Sequence, residues 1–191
     1  EAVSDERFDP AIRCLRWAFA TEPGNARRAQ ALSSALARAG LAHEALRVLA
    51  AHERTDAPRM VGRALVEAGR YVEAVPVLRY ASRRFRAHED WTLLAIAAAR
   101  GEDDAVAVEA GRRAMQLGSM DQEMLIALAT GLYRLGEFVE CEAIAQKILA
   151  VRGAHKEVRA AGLHAMARAL AGQGRHVDAL PYAKEANRLG P

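Results

Sequence analysis

Histidines and acidic residues are the first places to look for chemistry, because both side chains bind metals and transfer protons. His43 and His52 are nine residues apart, as are His155 and His164, and this spacing does not place two ligands on adjacent helical turns. The acidic run GEDDA, residues 101–105, lies at a predicted helix start, where the helix dipole favours carboxylates. No glycine-rich phosphate loop, H-E-x-x-H or C-x-x-C motif occurs. We therefore expect no enzyme activity, no metal site and no cofactor.

Composition favours an all-helical, soluble chain. Apolar residues make up 51% of the 191 positions, but aromatic residues make up only 5%, and the alternating Val-Ile-Thr runs typical of strands are almost absent. No apolar run reaches the length of about 18 residues that a membrane helix needs. Cys14 and Cys141 are far apart, and we interpret both as small core residues. We expect a cytoplasmic location, although a leader could precede residue 1.

Charge is unevenly distributed along the chain. Residues 1–87 carry 15 Lys and Arg against 10 Asp and Glu, whereas residues 88–191 carry 12 against 14. Arginine outnumbers lysine by 24 to 3. Two interpretations remain open: a compositional bias of the genome, or planar, bidentate recognition of carboxylate or phosphate groups.

Four segments of the chain superimpose without gaps: ALARAGLAHEALRVL, ALVEAGRYVEAVPVL, GLYRLGEFVECEAIA and ALAGQGRHVDALPYA. Each contains a glycine between two apolar helical patterns, namely Gly40, Gly69, Gly136 and Gly174. Glycine after a last helical turn adopts the left-handed conformation that reverses the chain. The short links predict antiparallel helix hairpins.

A small residue follows each turn glycine by five positions. These residues are Ala45, Ala74, Cys141 and Ala179, and the matching positions of the remaining copy and of the opening segment hold Ala107 and Ala11. Small side chains at a repeated position allow helices to approach closely. The pattern predicts close helix packing at this position in every copy.

With these features the chain resembles the tetratricopeptide repeat, a helix–turn–helix unit with a W-x2-L-G-x2-Y…A-x3-F…A…P pattern. Its slots are filled in the third copy by Trp91, Leu94, Ala95 and Ala98, and in the fourth by Leu125, Leu128, Ala129, Leu132 and Phe138. The third copy departs from the pattern, because Glu102 occupies the place of the turn glycine.

The resemblance implies an all-α, right-handed α-α superhelix of about eleven helices, beginning with the second helix of an incomplete repeat. The half repeat would span 5–25, and the full repeats 26–54, 55–87, 88–121, 122–159 and 160–191. Phe8 and Ala11 fit the second-helix pattern, so we expect a fragment of a longer array. In such a fragment, Ile12, Leu15 and Phe19 would face solvent or a neighbouring molecule.

The resemblance also implies a groove. First helices of stacked hairpins line a concave face, along which partner segments lie. The polar and apolar first-helix residues that the repeat pattern does not assign to the core are the candidates for partner binding: Arg27, Gln30, Ser34, Arg38, Arg59, Arg63, Thr92, Ile96, Arg100, Ile126, Thr130, Tyr133, Arg134, His164 and Arg168. Arg38, Arg100 and Arg134 precede the turns at equivalent positions. They would form a basic stripe that selects acidic peptide, or simply complement the helix dipoles.

The leading hypothesis is a non-enzymatic adaptor that binds a partner protein segment, possibly an acidic one. Chaperone-binding members of the family hold a C-terminal carboxylate in a basic clamp. The matching slots here carry Gln30, Ser34, Met60 and Glu89, which argues against that role. Two alternatives remain: nucleic-acid or other polyanion binding through the arginine-rich N-terminal half, and self-association through the open N-terminal end.

Overall fold

A computed structural model describes residues 5–51, 56–151 and 153–190, with side chains from residue 10 onward. The predictions for the Phe8 side chain, for the end of the repeat 26–54 and for residue 191 therefore fall outside what the structure describes. The described part of the chain contains eleven α-helices and no strand, which confirms the all-α prediction.

The chain divides into two compact units, and the first, unit 1, is Glu1–Phe85. Its helices are α1 (Asp5–Thr21), α2 (Ala26–Arg38), α3 (Ala42–Ala50), α4 (Ala57–Glu67) and α5 (Tyr71–Phe85). α2 pairs with α3 and α4 with α5 as hairpins, the first helices α2 and α4 lie side by side, and α1 packs on α2. Asn25 caps α2, since its side-chain oxygen accepts hydrogen bonds from the backbone N–H groups of Arg27 and Arg28.

Unit 2 is Arg86–Pro191 and consists of three hairpins. Its helices are α6 (His88–Arg100), α7 (Asp104–Gln116), α8 (Gln122–Arg134), α9 (Phe138–Ala150), α10 (Lys156–Gly172) and α11 (His176–Leu189). The first helices α6, α8 and α10 are neighbours in sequence order. α8 therefore lies between two other first helices, and its side chains contribute to a continuous first-helix face.

The turn glycines adopt the predicted left-handed conformation. Their φ angles are +84° at Gly40, +74° at Gly69, +78° at Gly136 and +79° at Gly174. At the first of these turns the N–H of Leu41 donates to the carbonyl of Leu36 at 2.8 Å, which closes the end of α2. The hairpins thus form where the repeated sequence places them.

The link between α6 and α7 uses the same geometry without glycine. Glu102 has φ = +62°, and the N–H of the next residue, Asp103, donates to the carbonyl of Ala98 at 2.9 Å. A side chain in this conformation is strained by about 1 kcal/mol. The repeat therefore requires the left-handed backbone conformation at this position, and a residue other than glycine can adopt it.

Replacing Glu102 by glycine is expected to stabilise the chain by about 1 kcal/mol, because the backbone strain disappears. Urea unfolding followed by circular dichroism measures this change. The reverse substitution, Gly136→Ala, is the matched control and is expected to destabilise by a similar amount. Apart from Gly136 and its two chain neighbours, no residue has an atom within 4 Å of the added Cβ, so the backbone conformation accounts for the cost. Equal stability of Glu102→Gly and the unmodified chain would contradict the prediction.

The small-residue position is buried in both units. Ala45, Ala74, Ala107 and Cys141 have no exposed surface, and Ala179 is 6% exposed. The matching residue of α1, Ala11, is exposed, so the prediction is wrong there. Close packing at this position therefore occurs in complete hairpins, where the second helix packs against the first helix of the same hairpin.

Helix α1 departs from the sequence predictions in two further ways. Ile12 is only 5% exposed, and Leu15 and Phe19 are half-buried, because α1 packs on α2 and covers this apolar stripe. Cys14 is exposed, so its prediction as a core residue is wrong, whereas Cys141 is buried as predicted. The face of α1 that the repeat pattern marks as apolar thus has a partner within unit 1.

Candidate partner-binding site

A cavity of about 220 Å³ opens on the first-helix face of unit 2, between α8 and α10. Ile126, Thr130 and Tyr133 line it from α8, at intervals of four and three residues that place them on one helix face. His164 and Arg168 line it from α10, and their spacing of four residues likewise places them on one helix face. The structure therefore brings five of the predicted candidate residues together, and we call this the α8–α10 groove.

The floor of the α8–α10 groove consists of small residues. Ala129 on α8 and Ala161 and Ala165 on α10 line the cavity beneath the larger side chains. Below the floor, the thiol of Cys141 donates a hydrogen bond to the carbonyl of Ala129 at 3.3 Å and lies 3.9 Å from the carbonyl of Ala165. Burial raises the pKa of Cys141 to about 11, although nearby Arg168 acts in the opposite direction, so the thiol stays protonated at neutral pH.

Tyr133 forms one wall of the groove and is held from two sides. Its ring packs against Phe138 with the centroids 5.9 Å apart, and the guanidinium of Arg168 lies 5.6 Å from its centroid. Tyr133 is 37% exposed, so the ring still offers apolar surface. The groove thus combines an aromatic wall with a cation that is fixed by a cation–π contact.

The arginines predicted to bind a partner differ in whether a carboxylate already neutralises them. Arg38 pairs with Glu67 at 3.4 Å and Arg134 with Asp104 at 3.3 Å, and Arg100 pairs with Glu123. The predicted basic stripe before the turns is thus engaged in ion pairs between helices. Arg168 makes no ion pair with any residue that the structure describes, so it is the cation of the α8–α10 groove that is left for a ligand.

Unit 1 carries a comparable cavity of about 370 Å³ between its first helices α2 and α4. Gln30 and Ser34 line it from α2, and Arg59 and Arg63 from α4. Arg59 lies over the ring of Phe85, with the guanidinium 4.4 Å from the centroid. This cavity is more polar than the α8–α10 groove and lacks an aromatic wall on the first helices.

Besides Arg38, Arg100 and Arg134, three further candidates lie outside both cavities. Arg27 is exposed at the start of α2. Thr92 is half-buried, and its hydroxyl shares a hydrogen bond of 2.9 Å with that of Ser119. Ile96 is 8% exposed, so this predicted apolar anchor has little surface to offer a partner.

The sequence interpretation missed the alanine floor and the role of Phe138 behind Tyr133. Ala161 and Ala165 are four residues apart, which places them on one face of α10, and Ala129 fills the glycine slot of the repeat pattern. These spacings were available as signals, but the chain is so rich in alanine that they do not stand out. The sequence pattern assigns Phe138 only to a slot of the repeat.

Two properties of the described residues bear on other kinds of function. No helix among them is both long and apolar enough to cross a membrane. Their His, Cys, Asp and Glu side chains form no cluster of three that could hold a metal ion.

Comparison with known proteins identifies the fold. No protein-family model matches the sequence, and no curated protein matches it significantly. Among solved structures, YrrB, described as a TPR protein with an unusual peptide-binding site, is 17% identical, with a TM-score of 0.68 over 93% of this chain and 92% of YrrB. MamA from MSR-1 is 22% identical, with a TM-score of 0.62 over 82% of this chain and 91% of MamA. PilF from Pseudomonas aeruginosa is 23% identical, with a TM-score of 0.61 over 99% of this chain and 87% of PilF. Together with the helix hairpins of both units, these likenesses show that the chain has the tetratricopeptide-repeat fold, as its sequence pattern predicts.

Proposed function

We propose that the chain is a non-enzymatic adaptor that binds a segment of a partner protein in the α8–α10 groove. The observation that carries the proposal is the combination, in one cavity, of an aromatic wall, an alanine floor and an arginine without an ion pair. YrrB, whose fold is similar, is described as having a peptide-binding site, which supports a peptide as the ligand.

The groove favours a segment with one apolar and one acidic side chain close together. Ile126, Tyr133 and the alanine floor can bury an apolar side chain, and such contacts supply most of the binding energy in interfaces. Arg168 can donate two parallel hydrogen bonds to a carboxylate while its guanidinium keeps the cation–π contact with Tyr133. His164, which also lines the cavity, adds a further donor.

The proposal is tested by selecting peptides from a random displayed library on the immobilised chain and measuring their affinity for variants. For peptides that bind this groove, Arg168→Gln and Tyr133→Ala are each expected to weaken binding about tenfold, because each removes a central contact. Isothermal titration calorimetry gives the dissociation constants.

Arg134→Gln is the matched control for Arg168→Gln. Arg134 follows Tyr133 directly and its side chain is similarly accessible, but it is paired with Asp104 and does not line the cavity. It should therefore leave affinity unchanged within about twofold. If no selected peptide loses affinity with Arg168→Gln or Tyr133→Ala, or if Arg134→Gln weakens binding as much, the α8–α10 groove is not the binding site.

A further inference from the structure

Unit 1 carries a second groove, on the opposite helices of its hairpins, whose character differs from that of both first-helix cavities. It has a volume of about 510 Å³ and lies between α3 and α5. Leu46 contributes to it from α3, Pro76, Val77 and Tyr80 from α5, and Pro58 from the start of α4. We call it the α3–α5 groove. Its lining is overwhelmingly apolar. Tyr80, one of the lining residues, is 56% exposed.

From this groove we infer a second docking surface, which binds an acidic, amphipathic helix of a different protein. The inference goes beyond the proposed function, because it concerns other helices and another unit. A concave, largely apolar surface with a few polar groups is the usual form of a binding site in a folded protein. An amphipathic helix fits a groove between two helices by placing an apolar stripe into it.

One of the two matching grooves of unit 2, the one between α9 and α11, shows that the apolar lining is not a requirement of the repeat. When the turn glycines are superimposed, Pro76 matches Pro181, whereas Leu46 matches Glu142 and Tyr80 matches Glu185. Glu142 lines the groove between α9 and α11 and forms an ion pair with Arg175 at 3.2 Å. The same position in the fold therefore accepts charged residues, and the hydrophobic character of the α3–α5 groove is a local property of unit 1.

The charges around the α3–α5 groove determine what kind of helix it suits. Its one lining carboxylate, Glu73, is neutralised by the guanidinium of Arg70, which donates to it at 2.8 to 3.1 Å. Arg84, one turn after Tyr80, donates to the Tyr80 hydroxyl at 3.4 Å. Arg47 lies one turn after His43, which lines the groove. Neither Arg47 nor Arg84 has a carboxylate partner among the described residues, so the rim is positive and complements acidic side chains.

The same charges argue against a second copy of this chain as the occupant. The most prominent exposed aromatic residue is Trp17 on α1, with 73% of its surface accessible. Arg13 and Arg16 flank it, and only Arg16 has a carboxylate partner, Glu44, among the described residues. Inserting Trp17 into the α3–α5 groove would bring positive charge onto a positive rim. A partner with glutamates beside its apolar stripe avoids this repulsion.

Two designed peptides test the inference. Both are alanine-rich helices of about 15 residues with leucine and phenylalanine along one stripe; one carries glutamates on either side of the stripe, and the other carries lysines. Fluorescence anisotropy measures binding to the full chain. The glutamate peptide is expected to bind at least about tenfold more tightly than the lysine peptide.

Leu46→Glu and Tyr80→Glu introduce the residues found at the matching positions of α9 and α11, and each is expected to weaken binding of the glutamate peptide at least about tenfold. Leu180→Glu, a change of the same type at an exposed leucine of α11, is the matched control and should have no effect. Repeating the measurement in the Tyr133→Ala background should leave the weakening by Leu46→Glu and Tyr80→Glu unchanged, which separates this surface from the α8–α10 groove. Circular dichroism confirms folding, and since Tyr80 is largely exposed, its variant keeps the test informative if Leu46→Glu unfolds.

Three results would overturn the inference. The first is equal binding of the two peptides, or no binding of either. The second is binding of the glutamate peptide that Leu46→Glu and Tyr80→Glu leave intact, which would place it elsewhere on the chain. The third is a dimer in sedimentation velocity that both variants convert to monomer, because the groove would then be an interface between copies.

Discussion

Leu128→Ala is expected to lower the free energy of unfolding by about 3 kcal/mol. Leu128 has no exposed surface, and its side chain lies directly over Gly111 of α7. A Cβ built on Gly111 would come within 3.0 to 3.3 Å of three Leu128 side-chain atoms, which shows how closely the leucine fills this space. Truncating it leaves a void that a glycine on the opposite helix cannot fill, so the full cavity cost remains.

Urea unfolding monitored by circular dichroism measures this loss, with Leu180→Ala as the control. Leu180 is also a helical leucine of unit 2, but 52% of its surface is exposed. Its truncation removes little buried area, and alanine has the better helix propensity, so we expect a change of no more than about 0.5 kcal/mol. If both variants lost the same stability, Leu128 would not have the packing role that its contact with Gly111 indicates.

The parts of the fold that the sequence predicts correctly are those decided by local physics. A left-handed turn needs glycine or a strained substitute, and a close helix approach needs a small side chain, so Gly40 or Ala45 can be interpreted without knowing the rest of the chain. The same local reasoning failed for Ala11, Ile12 and Cys14. Their burial depends on how α1 packs on α2, and that contact is set by the surface of the other helix.

In the candidate site, too, features decided within one helix are predicted correctly, whereas those decided by tertiary contacts are not. Helical spacing correctly groups Ile126, Thr130 and Tyr133 on one face, because that face is fixed within α8. Charge pairing is different, since the carboxylate partner of Arg134 lies 30 residues away and that of Arg100 lies 23 residues away. Whether an arginine is available to a ligand is therefore a tertiary property. Only the structure separates Arg168, whose guanidinium lies 5.6 Å from the centroid of the Tyr133 ring, from the arginines that are paired with carboxylates.

Cys141→Leu is expected to destabilise the chain by about 2 kcal/mol and to weaken peptide binding in the α8–α10 groove as well. The side chain of Cys141 has no exposed surface, and its sulfur already lies 3.3 Å from the carbonyl of Ala129 and 3.9 Å from that of Ala165. The extra carbons of leucine have no room, so α9 must move away from α8 and α10. Since both alanines form the groove floor, that movement also alters the spacing of Tyr133 and Arg168.

Cys141→Ala distinguishes the effect of the larger leucine side chain from the effect of losing the thiol. Alanine occupies the equivalent position of the other hairpins, so this variant should fold with a loss of about 1 kcal/mol or less and keep its peptide affinity. Urea unfolding and calorimetry with a groove-binding peptide measure both properties on both variants. A leucine variant as stable as the alanine variant would mean that the helices are not closely packed at this position. A leucine variant that loses stability but binds peptide normally would instead mean that packing beneath the floor does not control the groove.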